Sequence, residues 1–267
     1  MISASTRVFA LLGDPISHSL SPAMHTAAFH ALGLEAAYVA LRCDPADLGP
    51  LIRALVRAGG GGNVTVPHKA LAARCVDEPA ERVRSLGACN TFWGRDGRAA
   101  GDNTDVDGLL EALDLLGAPE GGWLVAGTGG SARAVVGAAR ERCAGLAVLS
   151  RDPDRRARFE AWAARCGVAL VPPESCGTLI NATPLGLRAD DPFPIPLEAA
   201  PAALVALDLV YAPGETPWVR ALRARGIAAA DGRGVLVGQG AAALERWFPG
   251  VRAPREIMRA VVDAALR

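Results

Sequence analysis

The sequence predicts an α/β protein of two domains, and three observations support this fold class. The chain has 267 residues, which is long for one compact domain. Short apolar runs alternate with helical patterns, as in mainly parallel sheets covered by helices on both faces. A glycine-rich loop lies mid-chain between an apolar run and a helical pattern. We therefore expect two α/β domains, the second of which contains the glycine-rich loop.

In the first third, turn and cap residues separate the apolar runs. The predicted elements are strand Val8–Leu12, a helix from Pro22 to Leu32, strand Ala37–Leu41, a helix from Asp44 to Arg57, and strand Asn63–Val66. Ser21 precedes Pro22, a pattern typical of a helix with serine as its N-cap. Asp44 is placed to cap the second helix, which the glycine run 59–62 should end.

The middle of the chain has the order of a Rossmann domain. The predicted elements are strand Trp123–Ala126, a helix from Ala132 to Arg142, strands Leu146–Leu149, Thr178–Asn181 and Leu204–Leu209, and closing helices Gly238–Leu244 and Pro254–Leu266. Gly127-x-Gly129-x-x-Ala132 follows the first strand and opens the first helix. Such a loop lets backbone N–H groups approach a pyrophosphate at a helix N-terminus, which predicts dinucleotide binding. The alternative is a glycine-rich turn that binds nothing.

The end of the next strand bears on which dinucleotide binds. NAD sites usually place a carboxylate there for the ribose 2′-hydroxyl, whereas NADP sites place a cation nearby. The sequence reads Ser150-Arg151-Asp152. Arg151 could bind a 2′-phosphate, but a carboxylate of Asp152 facing the same place would repel it. We expect NADP as the cofactor and keep NAD as the alternative.

Composition excludes several classes of protein. The formal net charge is zero, from 28 basic and 28 acidic side chains, so no basic excess points to nucleic acid. The polar N-terminus, Met1–Arg7, does not resemble a signal peptide, and no apolar run predicts a membrane span. The six cysteines are scattered and the four histidines lack metal-ligand spacing. We expect a cytoplasmic protein with no metal site.

Four segments near predicted strand ends carry polar groups that a plain scaffold does not require. They are Gly13–Pro22, Asn63–Lys69, Gly87–Thr91 and Gly101–Asp105. Open α/β sheets bind ligands at such strand ends. The hydroxyls, amide, ammonium and carboxylate of these segments suit a small polyhydroxylated acid. Lys69 is the only lysine among the 28 basic residues, and an ammonium can release a proton where a guanidinium cannot.

At these segments the sequence closely resembles the shikimate dehydrogenases. The resemblance continues in order through nearly the whole chain, at Gly127–Arg133, Ile180–Gly186, Asp208–Tyr211 with Thr216-Pro217, Asp231-Gly232 and Gln239. It implies NADP-dependent reduction of 3-dehydroshikimate to shikimate, in the route to aromatic amino acids. It also implies a substrate-binding catalytic domain of residues 1–105 completed by 239–267, and a Rossmann domain of residues 106–238.

The resemblance assigns roles residue by residue. It makes Lys69 and Asp105 the catalytic pair. The implied substrate-binding residues are Ser19, Ser21, Thr65, Asn90, Tyr211 and Gln239. The implied cofactor-binding residues are Gly127, Thr128, Gly129, Gly130, Ser131, Ser150, Arg151, Leu209 and Gly232. The chain departs from the usual family pattern at Thr128, at Ser131-Ala132, and at Ser150 and Asp152.

Alternatives remain for the roles of single residues and for the function of the whole protein. Ser21 and Asp105 could simply cap helices, the second of them running over Val106–Leu116. An NAD-dependent paralogue that uses quinate or an aminoshikimate is a second interpretation, favoured by Asp152, whereas Ser19-x-Ser21 favours shikimate. A non-catalytic nucleotide-binding regulator is a third, and the intact Lys69 and Asp105 weigh against it. The sequence leaves open whether the protein is a monomer or a homodimer, and whether Lys69 transfers a proton or only stabilises charge.

Overall fold

The computed structural model describes residues 2–188 and 190–267, and it confirms the α/β fold class. The chain forms two compact units. The first extends to Gly108 and includes Leu236–Ala265, and the second comprises Leu109–Val235 with Leu266–Arg267. The predicted assignment of substrate binding to one part and dinucleotide binding to the other stays a prediction. Within the described residues, no helix is both long and apolar enough to cross a membrane.

The first unit contains a six-stranded mixed sheet in the order β2-β1-β3-β5-β6-β4. Its strands are β1 (Arg7–Gly13), β2 (Ala36–Arg42), β3 (Gly61–Val64), β4 (Glu78–Pro79), β5 (Thr91–Arg95) and β6 (Arg98–Asp102). Its helices are α1 (Ser21–Ala31), α2 (Pro45–Arg57), α3 (Lys69–Cys75), α4 (Glu81–Leu86), α9 (Arg233–Trp247, from Leu236 onward) and α10 (Arg255–Ala265). β1 pairs in parallel with β2 and β3, as the sequence predicts.

The hairpin of β5 and β6 departs from the predicted parallel sheet. β5 is antiparallel to both β3 and β6. Asp96 and Gly97 connect the two strands with positive φ angles of 49° and 76°. Asp-Gly is a preferred pair for such two-residue turns because both positions require a left-handed backbone. The sequence therefore carried a signal for this hairpin that the β–α alternation obscured.

Two predicted helix caps are wrong in detail. Helix α1 begins at Ser21 itself, and Leu20 is the N-cap residue without a side-chain cap. The Ser19 hydroxyl accepts the backbone N–H of Ser21 at 3.3 Å, and Pro22 has no N–H to satisfy. Asp44 does occupy the N-cap position of α2, but its side chain makes no capping bond. Both helices instead begin with a proline in the first turn.

The second unit is a five-stranded parallel sheet in the order β11-β10-β9-β7-β8. Its strands are β7 (Gly122–Ala126), β8 (Gly145–Leu149), β9 (Cys176–Asn181), β10 (Val205–Asp208) and β11 (Ala228–Ala230). Helix α5 (Asp105–Leu115) leads into it, followed by α6 (Gly130–Glu141), α7 (Pro153–Arg165) and α8 (Pro217–Ala224). The order confirms the Rossmann prediction. Helices α3, α4, α7 and α8 were not predicted.

The core of the first unit contains an aromatic cluster in which His25 is completely buried. Its ring stacks on Tyr38 with 4.5 Å between centroids and lies 4.9 Å from the ring of Trp247. Neither ring nitrogen of His25 has a hydrogen-bond partner among the described residues. Burial lowers the pKa of His25 to about 3, because nothing compensates the imidazolium for its lost hydration. The folded protein therefore holds this side chain neutral.

We expect the neutral His25 to make folding sensitive to acid. The unfolded chain takes up this proton below about pH 6.5 and the folded chain does not, so stability falls as pH decreases through that value. Between pH 7 and pH 5, His25 should lower the free energy of unfolding by about 2 kcal/mol. Urea unfolding of wild type and of a His25→Phe variant at both pH values measures this difference. An equal pH dependence in the two proteins would contradict the assignment.

Candidate active site

Lys69 and Asp105 are in direct contact in the first unit. The Lys69 Nζ lies 2.6 Å from the Asp105 Oδ2, and both side chains are largely buried, with exposed fractions of 13% and 15%. Lys69 is the first residue of α3 and Asp105 the first residue of α5. The backbone carbonyl of Lys69 accepts the N–H of Cys89 at 2.9 Å, which ties the start of α3 to the segment before β5. The fold thus brings together two side chains that are distant in the sequence.

Asn90 holds the second oxygen of this carboxylate. Its Nδ2 donates to the Asp105 Oδ1 at 2.8 Å, and its own Oδ1 accepts the backbone N–H of Thr104 at 2.7 Å. Asp105 makes no hydrogen bond to a backbone N–H in the described part of the chain, so its carboxylate does not cap α5. Each oxygen of Asp105 has one defined partner, and the ammonium of Lys69 keeps two N–H groups for a ligand.

Three predicted substrate-binding hydroxyls lie at the start of α1 and the end of β3. Ser19 accepts the N–H of Ser21, while the hydroxyls of Ser21 and Thr65 make no hydrogen bond to any described residue. Ser21 is nonetheless buried, with an exposed fraction of 6%. Gly13 ends β1 where a Cβ would lie 2.4 Å from the Thr65 Cγ2. A glycine is therefore required at position 13 for the segment after β3 to pack there.

Gln239 and Tyr211 occupy separate units. Gln239 lies on α9 in the first unit, where its Nε2 donates to the Leu236 carbonyl at 2.8 Å. Tyr211 follows β10 in the second unit, and its hydroxyl has no partner among the described residues. Burial raises the pKa of Tyr211, so this hydroxyl is a hydrogen-bond donor at neutral pH. Within the first unit the structure joins Lys69, Asn90 and Asp105 directly, and Gln239 makes no hydrogen bond to them among the described residues.

The glycine loop of the second unit has the geometry of an anion-binding turn. Gly127 has a φ of +108°, and a Cβ there would lie 2.8 Å from the Ala182 carbonyl oxygen. Gly129 is the N-cap of α6, and a Cβ there would meet no atom within 4 Å. The first turn of α6 contains no acidic residue. Thr128, Gly130 and Ser131 complete the loop, whose N–H groups and helix N-terminus favour a phosphate.

The segment after β8 explains the ambiguous carboxylate of Asp152. Its Oδ1 accepts the N–H of Arg155 at 3.0 Å, as the N-cap of α7. The Ser150 hydroxyl accepts the N–H of Asp152 at 3.3 Å. A carboxylate at a helix N-terminus is stabilised there, so its presence does not require a role in binding ribose. Arg151 is exposed and makes no ion pair within the described residues, which leaves its guanidinium available to a phosphate.

Leu209 and Gly232 are in close backbone contact after β10 and β11. A Cβ on Gly232 would lie 2.3 Å from the Leu209 carbonyl oxygen. The N–H of Leu209 donates to the Asn181 carbonyl at 3.0 Å, and that of Gly232 to the Val210 carbonyl at 3.0 Å. These bonds link the ends of three neighbouring strands. Because they hold the Leu209 carbonyl close to position 232, only glycine fits there.

A buried carboxylate supports these strand ends, and sequence reasoning assigned it no role. Asp208 is fully buried and accepts hydrogen bonds from the Asn181 Nδ2 at 2.7 Å and the Thr216 Oγ1 at 2.7 Å. Burial raises the pKa of Asp208, and these two bonds oppose the rise. Asn181 also donates to the Leu185 carbonyl at 2.9 Å. The signal in the sequence was an aspartate directly at the end of an apolar strand.

The two sites define a class of protein. A Rossmann unit with such a glycine loop is typical of dehydrogenases that use a nicotinamide dinucleotide, and the largely buried lysine–aspartate pair of the first unit offers an ammonium for acid–base chemistry. Two family models match within the first unit and around its C-terminal helices. Residues 11–92 match the shikimate dehydrogenase substrate binding domain, and residues 232–262 match the shikimate 5′-dehydrogenase C-terminal domain.

The chain belongs to the shikimate dehydrogenase family. It is 41% identical over 265 residues to the shikimate dehydrogenase (NADP(+)) of Methylocella silvestris, covering 93% of this chain and 92% of that protein. A crystal structure of the Thermus thermophilus enzyme in complex with NADP(H) and shikimate is 38% identical, with a TM-score of 0.88 and coverage of 97% and 99%. Another shikimate dehydrogenase, crystallised with NADP+, is 30% identical with a TM-score of 0.90 over 100% and 98% of the two chains.

Proposed function

We propose that the protein catalyses the reversible NADP-dependent reduction of 3-dehydroshikimate to shikimate, in the biosynthesis of aromatic amino acids. The observation that carries the proposal is the contact of 2.6 Å between the Lys69 ammonium and the Asp105 carboxylate. The relatives named above support the substrate and cofactor, since they are called shikimate dehydrogenases and one was crystallised with both NADP(H) and shikimate.

The glycine loop and Arg151 would hold the dinucleotide. The N–H groups of residues 128–131 and the N-terminus of α6 suit its pyrophosphate, since the N–H of Gly127 donates to the Leu149 carbonyl, and Arg151 suits the 2′-phosphate. The strand-end backbone at Leu209 and Gly232 would lie beside the nicotinamide. When bound, the cofactor supplies the hydride for the carbonyl carbon. The protein must then supply hydrogen bonds and a proton to the carbonyl oxygen.

Lys69 would face that carbonyl oxygen. Its ammonium stabilises the negative charge that develops on the oxygen and can donate the proton that completes the alcohol. Asp105 orients the ammonium, and its remaining lone pairs can accept a substrate hydroxyl. In the reverse direction, the Lys69 amine accepts the proton of the substrate hydroxyl as the hydride leaves the carbon that bears it.

The hydroxyls of Ser19 and Ser21 would bind the substrate carboxylate, and Tyr211 is the proposed substrate-binding residue of the second unit. The hydroxyls of Ser21 and Tyr211 have no partner in the described part of the chain, so they can donate without breaking a protein hydrogen bond. Thr65, Asn90 and Gln239 would bind the ring hydroxyls. This arrangement fits a carboxylate held by neutral donors and does not require a cation.

Initial rates with shikimate and quinate, each with NADP+ and NAD+, test the proposal. We expect the highest kcat/KM for shikimate with NADP+. A higher value for quinate, or for NAD+, would instead assign the chain to the NAD-dependent paralogues. That alternative rested on Asp152, whose carboxylate is engaged in capping α7.

Removing the Arg151 guanidinium should weaken NADP selectively. Arg151→Ala should raise the KM for NADP+ by about tenfold or more, because a charged contact to phosphate is worth about 1.5–3 kcal/mol. The KM for NAD+, which has no 2′-phosphate, should stay within about twofold. Arg165→Ala, at the opposite end of α7 and roughly 18 Å along that helix, is the control. Equal changes in KM for NADP+ and NAD+ would show that Arg151 does not bind the 2′-phosphate.

The remaining assignments are also proposals. We propose that residues 1–105 with 239–267 bind substrate, and that residues 106–238 bind the dinucleotide. The partners are then small molecules, with neither nucleic acid nor membrane involved. A monomer or a homodimer, and a cytoplasmic location, stay predictions. Size-exclusion chromatography with light scattering decides the first of these.

A further inference from the structure

A chain of buried polar side chains lies behind Asn90 in the first unit, and none of its members has a role in the proposed function. It consists of Tyr38, Asn63, Thr91 and Thr104, whose exposed fractions are 5% or less. Each is hydrogen-bonded to the next, and the last reaches the Asn90 side chain. Buried polar groups that are fully satisfied fix one arrangement of the side chains they connect.

The orientations of the Asn90 and Asn63 side-chain amides follow from neighbouring backbone groups, because an N–H can only donate and a carbonyl can only accept. The backbone N–H of Thr104 must donate, so the Asn90 atom that it meets at 2.7 Å is the oxygen. The Asn90 nitrogen therefore faces Asp105. Likewise, the Asn63 Nδ2 lies 3.2 Å from the backbone carbonyl of Asn90, which must accept. The Asn63 oxygen consequently faces Tyr38, whose hydroxyl donates to it at 2.7 Å.

The two threonine hydroxyls then have one consistent arrangement. The Thr91 Oγ1 accepts a second hydrogen of the Asn63 Nδ2 at 2.9 Å. Its own hydrogen goes to the Thr104 Oγ1 at 2.8 Å, the remaining acceptor within its reach among the described residues. The Thr104 hydroxyl in turn donates to the Asn90 Oδ1 at 3.2 Å. Every bond therefore points the same way, from Tyr38 to the Asn90 oxygen.

We propose that Thr91 is a positioning residue for the catalytic pair, acting through Thr104 and Asn90. Two donors on the Asn90 oxygen fix and polarise its amide, which makes the Nδ2–H a better donor to the Asp105 Oδ1. The Oδ2 of Asp105 is thereby left to Lys69. The inference rests on the proposed function, because it takes Lys69 and Asp105 to be the catalytic groups.

Thr91→Val tests this role, since valine has nearly the shape of threonine and carries a methyl group in place of the hydroxyl. We expect kcat for shikimate oxidation to fall about tenfold, the effect of one lost hydrogen bond in the transition state. The KM for NADP+ should be unchanged, and Thr91→Ser should restore kcat to within about twofold of wild type. Thr178→Val is the matched control, because Thr178 is a fully buried threonine whose hydroxyl has no partner among the described residues.

A second readout does not require turnover. The side-chain amide protons of Asn90 should exchange with solvent at least about tenfold faster in Thr91→Val than in wild type or Thr91→Ser. If wild type fails to oxidise shikimate, the proposed function fails, while the exchange rates still decide whether the chain orders Asn90. If Asn90 amide exchange and kcat were both unchanged in Thr91→Val, the positioning role of Thr91 would be overturned, while the proposed function would still stand.

Tyr38→Phe keeps the test decisive if Thr91→Val does not fold. It removes the first donor of the chain and retains the ring that stacks on His25. We expect kcat to fall about threefold with the KM for NADP+ unchanged, because four hydrogen bonds separate Tyr38 from the Asn90 side chain. A folded Tyr38→Phe protein with wild-type kcat and wild-type Asn90 exchange would also overturn the inference.

Discussion

Lys69→Ala should lower kcat for shikimate oxidation by roughly 10²–10⁴, the usual effect of losing a positioned acid–base group. The ammonium contacts the Asp105 carboxylate at 2.6 Å, and removing it leaves the developing charge on the carbonyl oxygen without its cation. The KM for shikimate should change less than kcat, because this interaction is strongest in the transition state. Steady-state kinetics with NADP+ measures both values.

Lys69→Arg separates catalysis from charge pairing. Arginine retains the positive charge, but it is bulkier and does not release its proton at neutral pH. We expect this variant to be impaired nearly as strongly as Lys69→Ala. If Lys69 served only as an ion-pair partner, arginine would substitute with little loss of kcat, so near-wild-type turnover would refute the catalytic role.

Asp105→Asn should also lower kcat, by about 10²–10³. The variant keeps the size of the side chain and removes the charge that orients the Lys69 ammonium. It also places an amide opposite the Asn90 Nδ2, which now donates to a carboxylate oxygen at 2.8 Å. Loss of kcat without loss of folded structure, measured by initial rates and circular dichroism, is the expected result.

Asp107→Asn is the matched control for this substitution. Asp107 lies on α5, two residues after Asp105. Its carboxylate pairs with Arg82 at 2.8 Å and with Arg246 at 3.0 Å. Removing its charge should lower the stability of the protein and leave kcat within about threefold of wild type. If Asp105→Asn reduced kcat no more than this control does, the carboxylate of Asp105 would not be catalytic.

The sequence predicted the parts of the fold that depend on local pattern. The strands β1, β2 and β7, the glycine turn at Gly127 and the Rossmann order all follow from apolar runs and glycine spacing. The β5–β6 hairpin was missed although Asp96-Gly97 is a turn signal, because long alternation of strands and helices favoured a parallel sheet. Ser21 was assigned as an N-cap, whereas it is the first residue of α1, its N–H donates to the Ser19 hydroxyl, and its own hydroxyl has no partner among the described residues.

Individual site residues were predicted only where they belong to a recognisable sequence motif. Resemblance singled out Lys69, Asn90 and Asp105, and the structure joins them by direct hydrogen bonds. Nothing local indicates that Tyr38 meets Asn63, because that contact depends on pairing of strands across the sheet. The role of Asp152 stayed ambiguous for a different reason. Helix α7 had not been predicted, so its N-cap could not be recognised.

Hydride transfer from labelled shikimate tests the central claim most directly. Shikimate carrying deuterium at the carbon that bears the reacting hydroxyl is incubated with NADP+ and the enzyme, and the dinucleotide is analysed by mass spectrometry. Wild type should transfer the deuterium to the nicotinamide, while Lys69→Arg should do so at a rate reduced by at least about 10². Reduced dinucleotide without deuterium, or equal transfer rates in the two proteins, would contradict the account.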